Sequence, residues 1–600
     1  MLRPPSQTRR VEELALAAGR QQGMQIASTA RTPEMTTLFR FDTVQAFLAM
    51  GVPLHAIDIA RPYLEKYSHM QLTHSSNLGD LVPMVLKSER DNLRAFLTGQ
   101  PYSIAFDGAS RLGEVLAVIV RVVDADTFRS TQKLLSVRLF SRSLAGEEIA
   151  EGVHSIVCGT YKLDTSLCMA AQRDRVSANN VAFRRLSASV GFSNMADLRC
   201  LSHMVDTAGS QLVAKHAEAF ESVMSSIFSR SPAAVKLWRD AVGARMPGGS
   251  ETRWWSEWFN LEHLMQHFHL VEPWLAQCVQ QNLCEALTGQ LMQMFRGYTQ
   301  QVPARTNNAG VVVPAHNVHV APVTNEIAFE LAVAVDIGKP LVKTTYAVEG
   351  DDPCLVFEAF DRLLEAQNSL VVLHTPNVDA LLRTMNIPNA RMRVCDFAAS
   401  PRAYLKSKIG DLSATLVDVG FVAAGASGSS APPPQLAQNG AAPLPPPASN
   451  TSELSDMMKL LCLARLGDPW RLLSLHPNTQ HIDNLAAALP FLRNDPALVS
   501  RLKEELPRYM AAAAQLPEVK DVQAWWAQRR QTLPAWASLV RVLLLLPPSS
   551  AAPERVFSLL RLAIDERQER ALGDYIEASL MLQYNNRNTS SSHQDRRKTL

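Results

Sequence analysis

The sequence predicts a mixed α/β protein whose sheet is flanked and interrupted by helical stretches. Three observations carry that expectation. Between Tyr102 and Ser141 three runs rich in Val, Ile and Leu (YSIAFDG, EVLAVIVRVVD and KLLSVRLFS) follow one another with turn residues between them. Helix-period segments then alternate with two further strand-like runs up to Val205. Over 206–300 and 453–586 the apolar residues recur at helical spacing.

Taken in order, residues 1–35 are polar and irregular and are expected as a disordered tail. Residues 36–100 form a helical N-terminal region, in which Phe41, Val44, Phe47 and Leu48 share a helix face. The first part of the sheet core occupies 101–215. After the three strands, GEEIAEGVHSIV suits a helix and SLCMAAQRD (166–174) a fourth strand ending on aspartate. NNVAFRRLSASV then suits a helix and LRCLSHMV (198–205) a fifth strand. Residues 216–422 are expected as a large helical insertion and a mixed α/β region. Within it lie the tryptophan-rich TRWWSEWF (252–259), a Pro/Asn/Val loop at 302–323 and a return to mixed α/β over 324–420. The Ala/Pro/Gly/Ser stretch at 423–452 cannot build a core and reads as a linker. Residues 453–586 form a helical C-terminal region that completes the core, and 587–600 a polar tail.

Composition narrows the function classes. With 47% hydrophobic and 19% charged residues, 600 residues can bury several cores. A net charge of +2 gives no global attraction to nucleic acid, so any DNA-facing surface must be local. The 8 cysteines are scattered, with no CxxC pair, as expected for reduced thiols in an intracellular protein. MLRPPSQTRR is not followed by the apolar run of a secretory signal. Val542–Leu546 is too short to span a bilayer. No membrane and no small-molecule substrate is expected as a partner.

Three carboxylates stand where chemistry can be done. Asp107 ends the first strand in AFDGAS, Asp174 ends the fourth in QRDRVSANN, and Glu554 opens a helix in SSAAPERVFSLL. Singly, each has a plain reading: a turn aspartate, or a first-turn glutamate facing the helix dipole. Together they match what two hard divalent cations need, namely oxygen ligands a few ångströms apart. Carboxylates on a first strand, a fourth strand and a late helix of a mixed sheet are the arrangement of RNase H-like nucleases and strand-transfer enzymes. The predicted fold is therefore an RNase H-like mixed sheet core with a helical insertion.

At these residues the sequence resembles the hAT family of DNA transposases. SIAFDGAS is similar to the family's first catalytic segment, and RDRVSANNVAFR to its second, with the D-x-x-S/A-x-N pattern. CLSHMVDTAG resembles its C/D-x-x-H motif, and TRWWSEWF its Arg–Trp motif. SSAAPERVFSLL with ALGDYIEASLMLQYNNR resembles its C-terminal dimerisation segment. The resemblance implies that Asp107, Asp174 and Glu554 bind two Mg²⁺ or Mn²⁺ ions and carry catalysis. It implies that Cys200, His203, Arg253 and Trp254 contact DNA, Trp254 by stacking on a flipped base. It also implies a homodimer or higher homo-oligomer acting on DNA in the nucleus. The family's N-terminal zinc-binding BED finger has no counterpart here, since the first cysteine is Cys158.

Plainer readings stand beside these. Cys200 also fits a buried strand thiol, and any two of the three tryptophans fit a core. His263 and His267 form an HxxxH without the glutamate of a metalloprotease and read as satisfied histidines. Val556, Leu560 and Ala563 share one helix face and Leu572, Ile576 and Leu580 another, suited to core packing, to a dimer surface or to both. Three functions remain open: a metal-dependent transposase, a transposase-derived protein that binds DNA or partners without catalysis, or an RNase H-like nuclease acting on other nucleic acids.

Overall fold

The computed structural model describes residues 33–109, 114–140, 142–174, 176–189, 191–247, 253–306, 312–313, 315–350, 352–421, 451–563 and 573–586. Most of the expected N-terminal tail, the Pro/Ala linker and the C-terminal tail lie outside them. The chain opens with α1 (Pro33–Met50), α2 (Ala56–Ser68) and α3 (Val82–Leu97). Strands β1 (Tyr102–Ala109), β2 (Glu114–Val123) and β3 (Ser130–Phe140) follow, then α4 (Gly146–His154), β4 (Cys168–Arg173), α5 (Ser177–Ser187) and β5 (Ala196–Arg199). A helical run comes next: α6 (Leu201–Gly209), α7 (Lys215–Arg230), α8 (Pro232–Val242), α9 (Trp254–Gln266), α10 (Val271–Gln280) and α11 (Glu285–Arg296). Short strands β6 (Tyr298–Val302), β7 (Arg305–Thr306), β8 (Val312–Val313) and β9 (His316–Val320) precede α12 (Thr324–Val348). The chain continues through α13 (Ala359–Ser369), α14 (Pro376–Leu382), α15 (Ala390–Ile409), α16 (Leu412–Asp418) and α17 (Thr451–Ala464). It ends with α18 (Thr479–Ala488), α19 (Pro496–Ala513), α20 (Val522–Arg529), α21 (Pro534–Leu543), α22 (Ala551–Ala563) and α23 (Gly573–Asn585). This is a mostly helical α/β protein with one five-stranded mixed sheet, of order β3–β2–β1–β4–β5.

The chain forms two compact units. The first joins Met1–Val123, Ser130–Met195 and Ala551–Ser592; the second is mainly Ala196–Ser550. In the first, β2 runs antiparallel to both β1 and β3, and β4 runs parallel to β1. Nine of the ten residues of β2 are buried, which is why its sequence shows continuous Val and Ile and no alternation. Its covering layer is supplied partly by α22 and α23, from the far end of the chain. Val556, Leu559, Leu560, Ile576, Leu580 and Met581 are all buried in the same core as β1–β3. The core-packing reading is thus borne out for Val556, Leu560, Ile576 and Leu580, whose apolar area is spent inside the chain. Ala563 and Leu572 have side chains outside the described residues.

Polar contacts fix α23 in register. The Ser136 hydroxyl donates to the Glu577 carboxylate at 2.7 Å, and Arg90 pairs with the same carboxylate at 2.8 Å. The Leu134 N–H donates to Asn585 Oδ1 at 2.7 Å, while Asn585 Nδ2 donates to Glu89 at 2.9 Å. Ser579 donates to the Leu48 carbonyl at 3.0 Å.

Three expectations are corrected in the second unit. The fifth strand is only Ala196–Arg199, and Leu201–Gly209 is helical, so His203 sits on a helix. The 302–323 loop contains strand: β6 pairs with β9 and β7 with β8. Over 324–420 the described residues are helical, with no strand. The Val- and Ala-rich IAFELAVAVDIG lies in the 25-residue α12, buried on nearly every side from Ile327 to Gly338. Burial all round removes the polar face that gives a helix its period.

Glu577→Ala strips a buried acceptor from both Ser136 and Arg90. It is expected to cost about 2–3 kcal/mol, read as a lower urea midpoint for the first unit, whereas Glu577→Gln keeps part of the loss at bay. A midpoint unchanged in Glu577→Ala would show that the carboxylate does not hold the helix.

Candidate carboxylate site and the C-terminal region

Parallel pairing brings two of the expected residues together. The register sets Ala105 opposite Gln172, so Asp107 comes level with Asp174 just past the end of β4; Asp107 does not end its strand as expected, because β1 stays paired with β2 as far as Ala109. Asp107 is buried and Asp174 half-buried. Asn179, in the first turn of α5, is buried between them. Its Nδ2 donates to Asp107 Oδ1 at 3.1 Å and to Asp174 Oδ1 at 2.5 Å. Backbone donors add to these, from Gly108 to Asp107 at 2.9 Å and from Val176 to Asp174 at 3.0 Å. Asn179 lies within the D-x-x-S/A-x-N segment, but spacing alone does not reveal that it bridges both carboxylates. Glu554 lies in the first turn of α22, as expected, and is half-buried. Among the described residues, no three His, Cys, Asp or Glu side chains gather into a set able to hold a metal. The two aspartates offer hard oxygen donors of the kind a divalent cation takes, while the Asn179 amide stands between them.

The C-terminal helices have their own logic. Glu505, buried on α19, caps α21 from outside: its carboxylate accepts from Ala535 N–H at 3.1 Å and from Trp536 N–H at 3.2 Å. Around it Tyr509, Trp525, Trp526 and Trp536 form a buried aromatic cluster, with ring centroids 4.7–5.0 Å apart between neighbours. Each polar handle of Tyr509, Trp526 and Trp536 reaches a backbone carbonyl. Residues 505–586, from this Glu505 to the end of α23, match the hAT family C-terminal dimerisation region. Over this region the chain is similar to the hAT transposases. No curated protein matches it.

The remaining residues expected from the hAT resemblance lie in the second unit. Cys200 is fully buried where β5 turns into α6. Its sulfur accepts from Ser550 N–H at 3.3 Å and lies 3.1 Å from the Ser202 hydroxyl, which in turn meets Ser549 at 3.1 Å. Leu201 N–H donates to the Pro548 carbonyl at 3.0 Å. The CxxH segment therefore grips residues 548–550, directly ahead of α22. Burial alone would raise the Cys200 thiol; the charge and hydrogen bond of His203, with the hydrogen bonds of Ser202 and Ser550, together outweigh it and bring the thiol down to about 6.

Asp206, one turn further on α6, caps α9 by accepting from Trp254 N–H at 3.3 Å and Trp255 N–H at 3.2 Å. Burial nonetheless raises its carboxyl above the usual range. The Trp254 ring packs against Gly209 and Gly338: a Cβ at Gly209 would stand 2.0 Å from the ring, and one at Gly338 2.7 Å from it. Trp258 is core, with its indole N–H on the Val335 carbonyl at 3.3 Å. Arg253 is buried, 3.7 Å from Glu349. Of the HxxxH pair, His263 is satisfied internally: Trp238 donates to His263 Nε2 at 3.1 Å, and burial pushes His263 down to about 4.

Two outcomes test these readings. Asn179→Asp sets a third carboxylate against Asp107 and Asp174, so its melting temperature in chelator should fall below wild type at pH 7. The deficit should close as pH drops into the carboxylate range and the charges are neutralised. For Cys200, a folded-state value near 6 against an ordinary value of 9.0 means stability gained above pH 6 that is full above pH 9 and lost as pH falls through 6. The stability gap between wild type and Cys200→Ala should thus widen from pH 6 to pH 9. A gap constant across that window would rule out a thiolate.

Proposed function

We propose that this protein is a hAT transposase-like enzyme that cuts and joins DNA with divalent metal, working as a dimer or higher homo-oligomer in the nucleus. The observation that carries the reading is the parallel register of β1 and β4, which brings Asp107 level with Asp174, in a chain with a hAT dimerisation region. The strand order β3–β2–β1–β4–β5, antiparallel through β1–β3 and parallel at β1–β4, supports an RNase H-like core.

Asp107 and Asp174 would hold the metal, with Glu554 as a third carboxylate from α22. A bound Mg²⁺ or Mn²⁺ supplies Lewis-acid stabilisation of the oxygens of the phosphodiester under attack. Asn179 orients the two aspartates through its amide and keeps their oxygens facing one another. Cys200 and His203 hold the segment that leads into α22, and Arg253 and Trp254 are assigned to the DNA strand.

A second reading, a dimerising transposase-derived protein without catalysis, is favoured by one observation: the three carboxylates do not form a gathered metal set among the described residues.

Calorimetric titration of Mn²⁺ into the full-length protein with non-specific duplex DNA, alongside an Asp107→Asn/Asp174→Asn variant, separates the two. Metal binding and strand nicking that both vanish in the variant are expected. Identical traces and no nicking from either protein would leave the non-catalytic reading standing.

A further inference from the structure

The segment between α11 and α12 has no role in the carboxylate site, and its chemistry is distinctive. β6 and β9 form an antiparallel two-stranded ribbon in which Thr299 faces His319, Gln300 faces Val318, and Gln301 faces Asn317. Residues directly opposite share a face, so Thr299, His319, Gln301 and Asn317 make one wholly polar face. All four are exposed. The other face is mixed, carrying Tyr298, Gln300, Val302, His316, Val318 and Val320. From Glu285 to Glu326 the sequence has no Asp or Glu between, but it does have Arg296, Arg305, His316 and His319.

The ribbon is firmly rooted. Gly297 takes a φ of +73°, and a Cβ there would stand 2.5 Å from the Val320 carbonyl, so only glycine lets the two strands close at their base. Val323 N–H donates to the Met294 carbonyl at 2.8 Å, and Thr324 Oγ1 to the Phe295 carbonyl at 3.2 Å. Both ends of the ribbon are thereby tied to the last turn of α11.

We propose that this ribbon is a sequence-reading element that enters the major groove of duplex DNA with its Thr299–His319–Gln301–Asn317 face toward the base edges. The major groove, about 12 Å wide, admits a two-stranded ribbon, and Asn and Gln amides read adenine by paired hydrogen bonds. Gln301 and Asn317, opposite one another, carry two such amides from Cβ atoms roughly 5 Å apart. A five-residue strand runs roughly 17 Å, matching about five base pairs at 3.4 Å each. A surface meant for phosphate-lined grooves must lack carboxylates, and this one does. A strand-adding peptide or a second copy would need only the ribbon's edges and would not call for an all-polar face.

The inference rests on the proposed function only in taking DNA as the partner. The test is selection of sequences from a pool of random 30-bp duplexes by the full-length protein, in Ca²⁺, followed by anisotropy titration of the winner. Wild type should enrich one motif. Gln301→Ala/Asn317→Ala should lose roughly 10- to 100-fold in preference for that motif while keeping its affinity for random duplex. Gln300→Ala/Val318→Ala, on the opposite face, should keep the preference. All of these positions are exposed, so melting temperatures should agree across the set. Absence of any enriched motif, retention of preference by Gln301→Ala/Asn317→Ala, or equal loss from the opposite-face variant would each overturn the proposal. So would a change in self-association without a change in DNA selection. Asp107→Asn/Asp174→Asn should leave the selection intact and the ribbon variants should leave nicking of non-specific duplex intact, so the two readings fail separately.

Discussion

A helix from the far end of the chain closes the core of the first unit, and the buried Glu577 carboxylate fixes where it sits. Arg90 on α3 and Ser136 on β3 both converge on that carboxylate, so one group ties an N-terminal helix, the sheet and the C-terminal helix together. Asn585 repeats the device one end further on, donating to Glu89 and accepting from the backbone of β3. The long excursion between these partners is tolerable because loop-closure entropy grows only with the logarithm of length. α22 packs on α23 and on β1 and β2, so fixing α23 also fixes the register of the helix whose first turn carries Glu554.

The same closure limits how this protein can associate with itself. Val556, Leu560, Ile576 and Leu580 cannot serve both a subunit interface and the core that already holds them. Further upstream, the Tyr509–Trp525–Trp526–Trp536 cluster is also internal, with the Tyr509 phenol and the Trp526 and Trp536 indoles engaged by backbone. Self-association through the family region therefore has to draw on exposed side chains. Apolar content read from a sequence measures the area available for burial. It does not say whether the burial is within or between chains.

Strands β1 to β4 and the helices on either side were legible because their periods are set by one-sided or complete burial in a sheet. α12 was not, since Ile327–Gly338 is surrounded by helices and its Val and Ala content resembles a buried strand. β6 and β9 escaped for the opposite reason: with both faces in solvent they show no alternation of apolar and polar residues. Within the site, Asp174 was readable as a strand-end acid, whereas Asp107 lies two residues inside β1, which stays paired with β2 as far as Ala109. The role of Asn179 was not readable, because a bridge to two acids depends on which strands are neighbours. Trp254 was singled out as a DNA residue, and its fit against Gly209 and Gly338 could not be seen without knowing that three helices meet there.

That the two aspartates meet at all depends on an irregularity in the pairing of β1 with β4. Tyr102 stands opposite Cys168, but Ser103 stands opposite Ala170, so one residue of β4 is passed over at the start of the pair. Had the initial register persisted, Asp107 would face Arg173, and a one-residue slip sends alternate side chains to opposite faces of the sheet. After the shift, Ala105 faces Gln172 and Asp107 comes level with Asp174. Arg173, the residue that the unshifted register would have delivered, is instead buried against Asn180 and Phe183 of α5. The irregularity therefore separates a cation that serves packing from the carboxylates that face one another. It also allows Asn179, on that same helix, to reach both acids from one atom.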